Sequence, residues 1–166
     1  GSAQWDERNE SRVKQQKTYS TFIEDSTDSI ERLDRIIDGF TNDPWLKRGV
    51  GAIPAVLPNT KQRTILNDLK TIKNVIGFDT LQELRANSRG GASGLGQLTE
   101  KELDVLQNLL GQLDPADAKG MVRNLNRIKK RMMGMQEKLR VAYNEDYKML
   151  GDEYMIKEPE AGITKT

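Results

Sequence analysis

The stretch MVRNLNRIKKRMMGMQEKLRVA, residues 121–142, decides the fold. Its Met121, Leu125, Ile128, Met132, Met135, Leu139 and Ala142 alternate at intervals of four and three. An α-helix turns once in about 3.6 residues, so these intervals keep all seven side chains on one stripe. A stripe with a seven-residue period is a seam for a second helix. One long helix is predicted over roughly 116–150.

A partner of the same character lies near the start of the chain. Tyr19, Ile23, Ser26, Ile30, Leu33, Ile37 and Phe40 repeat the alternation, with Ser26 as a polar interruption. The opposite side carries Glu24, Asp28, Glu31, Arg32, Asp34, Arg35 and Asp38, and no proline intervenes before Pro44. This helix is expected to end at Gly39-Phe40, ahead of Asn42-Asp43-Pro44, and its polar beginning, residues 5–18, is expected to fray. At about 1.5 Å per residue each long helix spans roughly 50 Å, and antiparallel packing is the simplest arrangement.

Shorter elements fill the interval. Pro44 to Pro58, with Trp45, Gly49, Gly51 and Pro54, reads as a crossover with a helical turn at Trp45–Arg48. Asn59 or Thr60 can cap a helix reaching about Ile76, with Ile65, Leu66, Leu69, Ile72, Val75 and Ile76 on its apolar face. A short helix after Asp79 or Thr80 precedes a glycine-rich loop at 88–97. Thr99 and Glu102 then form a capping box for a helix bearing Leu103, Leu106, Leu109, Leu110 and Leu113. Asp114-Pro115 ends it, and Asp114 can cap the next. The expected fold is therefore all-α: an elongated helical bundle with two long antiparallel amphipathic helices and shorter helices between them. Residues 1–3 read as the remnant of a cleaved expression tag, 4–150 as a single helical domain, and 151–166 as a flexible tail that stays loose unless Tyr154, Met155 and Ile156 dock on a partner.

Composition narrows the function. Of the 166 residues 36% are hydrophobic, 31% charged and only 5% aromatic, which suits narrow helical seams. The 26 basic and 25 acidic residues leave a net charge of +1, so no global field steers the chain to nucleic acid or an acidic membrane. With no cysteine and no histidine, disulfides, thiolate sites and the commonest general base are excluded. No apolar run approaches the roughly 20 residues of a membrane span.

Candidate chemistry is sparse. The glycine-rich loop lacks a Gly-Lys-Ser or Gly-Lys-Thr and lies between helices, so it reads as a connection or hinge rather than a phosphate cradle. The carboxylate pairs Asp25/Asp28 and Glu145/Asp146 lack the histidine partner of a bundle di-iron site. Met121, Met132, Met133 and Met135 fill a seam or line an adaptable groove. Arg127, Lys129, Lys130, Arg131, Lys138 and Arg140 form the main basic cluster. No aromatic residue is interleaved to stack bases, so the cluster suggests at most weak, non-specific DNA contact.

One central segment resembles tailed-bacteriophage internal virion and DNA-ejection (injection) structural proteins. It runs from Ile76-Gly77-Phe78-Asp79-Thr80-Leu81-Gln82-Glu83-Leu84-Arg85-Ala86-Asn87-Ser88 through Gly90-Gly91 to Leu95-Gly96-Gln97-Leu98-Thr99-Glu100-Lys101-Glu102-Leu103. Leu57-Pro58-Asn59-Thr60 and Leu110-Gly111-Gln112-Leu113-Asp114-Pro115 extend the likeness to about 60 of the 166 residues. The segment carries no catalytic residue. The resemblance implies a virion setting and partnership with copies of itself or other virion proteins.

The expectation is a non-enzymatic, helix-mediated assembly component without cofactor or metal. Its assembly seam would comprise Ile23, Ile30, Leu33, Ile37, Leu125, Ile128, Met132 and Leu139, residues that serve equally well as internal core. The alternative is a nucleic-acid-binding helical module using the basic cluster 127–140.

Overall fold

In the computed structural model the stripe that begins at Met121 is buried along its whole length, from Met121 to Ala142. The structure describes residues 2–50, 60–72, 79–80, 82–83 and 95–157. Helix α1 spans Ser2–Asn42, α2 Pro44–Lys47, α3 Thr60–Lys70, α4 Leu95–Gly111 and α5 Ala118–Tyr147. Two 3-10 turns follow, Lys148–Leu150 and Asp152–Tyr154, and no strand occurs among the described residues.

α1 and α5 pack in opposite directions. Ser11 Oγ lies 3.0 Å from the Tyr147 hydroxyl, Gln136 Nε2 donates to Ser26 Oγ at 2.7 Å, and Lys129 Nζ is 2.7 Å from Asp34 Oδ1. As the number rises along α1 it falls along α5. The all-α expectation therefore holds, with α3 packed on α1 and α4 on α5.

The α1 seam is rotated from its expected phase. Tyr19, Ser26, Leu33 and Phe40 are buried as predicted, but between them lie Phe22, Ser29 and Ile36, not Ile23, Ile30 and Ile37. Both choices satisfy the four-and-three rhythm from Tyr19. Phe22 offers more apolar area than Ile23, and serines at 26 and 29 leave room for α5 to approach. Ile23, Ile30 and Ile37 flank the seam, partly buried against the same core. The two serines remain satisfied, because Ser26 Oγ donates to Phe22 O at 2.6 Å and Ser29 Oγ to Asp25 O at 2.9 Å.

The ends of the long pair also differ from expectation. Residues 5–18 are helical, with Gln15 and Thr18 buried. Ser11 meets Tyr147, and the Arg12 guanidinium sits 4.6 Å above the Tyr154 ring. Tertiary contacts from the far end of the chain thus reinforce a segment of weak periodicity. The tail is not loose as far as Lys157: Ile156 N donates to Asn144 Oδ1, and Asn144 Nδ2 returns a bond to Ile156 O, both at 2.8 Å. Residues 158–166 lie outside the described residues.

At the other end, Asp43 caps α2 by accepting from Trp45 N and Leu46 N, and Gln62 of α3 donates to the same carboxylate. Val50 N donates to Pro115 O at 2.7 Å, tying the crossover to the α4–α5 turn. Gly49 permits this contact: its φ is +93°, and a Cβ there would collide with Ala116 O.

Helix α4 starts at Leu95, before the predicted Thr99 cap, and Glu102 is engaged with α5. Asp117, not Asp114, caps α5 by accepting from Gly120 N at 3.0 Å, while Asp114 accepts from Ala116 N within the turn. The expected continuation of α3 from Lys73 to Ile76 and the loop residues 88–94 fall outside the described residues, and around 79–86 only 79–80 and 82–83 are described, as helix.

Candidate functional site

The long pair leaves two buried carboxylates, each projecting from a short helix toward a long one. Asp68 of α3 faces α1, with its Oδ1 3.1 Å from Arg32 Nη1 and its Oδ2 3.6 Å from Arg35 Nη2. Glu102 of α4 faces α5, with its Oε1 3.0 Å from Lys138 Nζ and 3.8 Å from Arg131 Nη1. The Glu102 side chain is 2% exposed, whereas those of Lys138 and Arg131 are 51% and 48% exposed. An isolated buried carboxylate would be strongly unfavourable, so two cations per acid stabilise its charge. Each acid therefore acts as a clamp that fixes where its helix docks. Both fall at helical spacing from apolar residues, Asp68 with Ile65 and Ile72, Glu102 with Leu106, and an acid on the apolar face is the sequence signal of the clamps.

The predicted basic cluster is divided by these contacts. Lys129 turns to Asp34 of α1, while Arg131 and Lys138 turn to Glu102 on the other flank of α5. Arg140 binds Glu137 through Nε at 2.9 Å and donates Nη1 to Ile156 O at 3.2 Å. Among the described residues Arg127 reaches Asn124 Oδ1, at 3.4 Å, and Lys130 is exposed. The six cations thus do not form one continuous surface.

The predicted assembly seam lies inside the chain. Leu33, Leu125, Ile128, Met132 and Leu139 are core residues, and Ile23, Ile30 and Ile37 pack at its edge. Of the methionines considered as a groove, Met121, Met132 and Met135 are buried and Met133 is exposed.

At the end where residues 11–19 meet the end of α5, three tyrosines cluster. The Tyr19 and Tyr143 rings lie 6.1 Å apart, and Tyr143 and Tyr147 are 5.0 Å apart. Burial pushes the Tyr19 hydroxyl up to about 12 and raises those of Tyr143 and Tyr147. These groups keep their protons, which suits packing rather than proton transfer.

The carboxylate pairs are spent locally. Asp25 accepts from Thr80 Oγ1 at 3.1 Å, Asp28 lies 3.9 Å from Arg32, and Glu145 pairs with Lys148 at 2.8 Å. No group of three or more acidic side chains suited to a metal ion occurs among the described residues. No described helix is long and apolar enough to cross a membrane.

Comparison with family models, curated proteins and solved structures found no match to this chain. The fold and the clamps define it as an all-α protein organised around one long antiparallel helix pair.

Proposed function

We propose that this chain is a non-enzymatic structural component of a tailed-phage virion, an internal or DNA-ejection protein that works by helix-mediated assembly. One observation carries the mechanical part. The long pair is joined from Ser11–Tyr147 at one end to Val50–Pro115 at the other, with α3 and α4 clamped along its sides. Such a pair resists bending and presents side chains at fixed positions, as a spacer in an assembly must. The virion setting rests on the resemblance of residues 57–115 to phage internal proteins.

The seam residues are engaged within the chain, so assembly in this reading uses the outer faces of the helices. The nucleic-acid alternative has less support, since Lys129, Arg131, Lys138 and Arg140 are paired internally.

Quantitative mass spectrometry of purified particles of the encoding phage tests the setting. A fixed copy number per particle is expected. Presence in infected cells with absence from particles would overturn it. DNA affinity that falls with salt and is lost on neutralising Arg127 and Lys130 would favour the alternative.

A further inference from the structure

The outer faces of α1 and α5 point away from the seam and are unpartnered among the described residues. On α1 this face carries Val13, Lys17, Ser20, Glu24 and Glu31, all exposed. On α5 it carries Val141, Glu137, Gly134, Lys130 and Arg123, also exposed. At about 100° per residue each set stays within a narrow stripe.

Three features of the stripes call for a partner. Val13 and Val141 are 51% and 52% exposed, each in a polar neighbourhood. Gly134 sits inside α5, where glycine disfavours helix, yet a Cβ there would meet nothing within 4 Å. Packing among the described residues therefore gives no reason for glycine at that position. Lys17, Glu24, Glu31, Arg123 and Lys130 make no ion pair with the described residues, whereas the charges on the flanks do.

The stripes complement each other when run in opposite directions with Ser20 opposite Gly134. The intervals along them are then identical: four, three, four and seven residues. Val13 meets Val141, Lys17 meets Glu137, Glu24 meets Lys130 and Glu31 meets Arg123. Glu137 also holds Arg140 on its own helix through both carboxylate oxygens, so Lys17 would share that carboxylate with Arg140.

We infer that the outer face of α5 docks antiparallel on the outer face of α1 of a second copy of this chain. The inference rests on the assembly reading above and identifies its interface. The two faces lie on opposite sides of one molecule, so the contact is head-to-tail. Each added copy exposes one unused face of each kind, and the copies line up side by side as a ring or an open row. Gly134 and Ser20 lie at the centre, where small side chains bring the helices together.

Sedimentation velocity over a concentration range tests this with two paired charge reversals, Glu24→Lys/Glu31→Lys and Arg123→Glu/Lys130→Glu. All four positions are exposed, so circular dichroism should show unchanged helix content. The wild-type mass should rise with concentration. Each reversal should weaken association at least roughly tenfold, through like charges set face to face. An equimolar mixture of the two variants should recover it, because every junction again pairs opposite charges. Gly134→Leu should also block association without loss of helix. Reversed variants that assemble like wild type would overturn this interface while leaving assembly by another face intact. Loss without recovery in the mixture would overturn the register. A wild type that stays monomeric at all concentrations would remove both the interface and the assembly reading.

Discussion

Removing Glu102 should cost little, and removing its cations should cost much. The asymmetry follows from burial. At the 3.0 Å separation of Lys138 and Glu102, Coulomb attraction is about 5.5 kcal/mol at an effective dielectric near 20 and about 1.4 kcal/mol in bulk water. Lys138 and Arg131 are half exposed, so water recovers them once the acid is gone. Glu102→Met also substitutes apolar contact for a desolvated charge, and stability should stay within about 1 kcal/mol of wild type. In Lys138→Met/Arg131→Met the carboxylate stays buried with no cation, and the loss should be about 3–5 kcal/mol. Lys138→Met alone should fall between, at about 1–2 kcal/mol, because Arg131 remains 3.8 Å away. Urea unfolding followed by circular dichroism reads all three against wild type. A Glu102→Met variant less stable than the double cation variant would refute the clamp, since the acid would then act chiefly through its own packing.

Further expectations concern the seam and its ends. Phe22→Ala should cost about 3–5 kcal/mol and Ile23→Ala clearly less, and equal losses in urea unfolding would contradict the observed phase of α1. Tyr19 has a folded-state value above its unfolded one, so its contribution is complete below pH 10.0 and is lost as pH rises through about 12. The stability difference between wild type and Tyr19→Phe in thermal melts should be constant up to about pH 10, and wild type should then lose stability relative to Tyr19→Phe as pH rises toward about 12. Gly49→Ala would place a Cβ at positive φ against Ala116 O, and should cost about 1–3 kcal/mol, read from its melting temperature. Asn144→Ala should raise amide exchange at Ile156 with little change in overall stability; unchanged exchange there would refute the anchoring of the tail.

Legibility in the sequence followed the number of independent cues at each element. α5 was readable residue by residue because Met121, Leu125, Ile128, Met132, Met135, Leu139 and Ala142 left no rival stripe. α1 offered two stripes, and the isoleucines at 23, 30 and 37 outweighed Phe22, Ser29 and Ile36 on hydrophobicity alone. Burial instead followed Phe22, Ser29 and Ile36, the phase that turns the large Phe22 and the small Ser29 into the core, a tertiary effect. The same limit applied to residues 11–18, whose partners Tyr147 and Tyr154 lie more than a hundred positions away. For the charges, the sequence marked one basic cluster on α5. It did not distinguish cations bound inside the chain, such as Lys129, from those left outside, such as Lys130.

The joining of α1 to α5 has a consequence for biosynthesis. The two helices meet across a separation of 110 residues at Ser26–Gln136, while α4 and α5 are neighbours in the chain. At about 5–20 residues per second, α1 waits roughly 5–20 s after emerging before α5 has been translated. Through that interval the stripe from Tyr19 to Phe40 faces water without its mate, open to contact with other unfolded chains. Serines at 26 and 29 make the middle of that waiting surface less adhesive than an unbroken row of isoleucines would be.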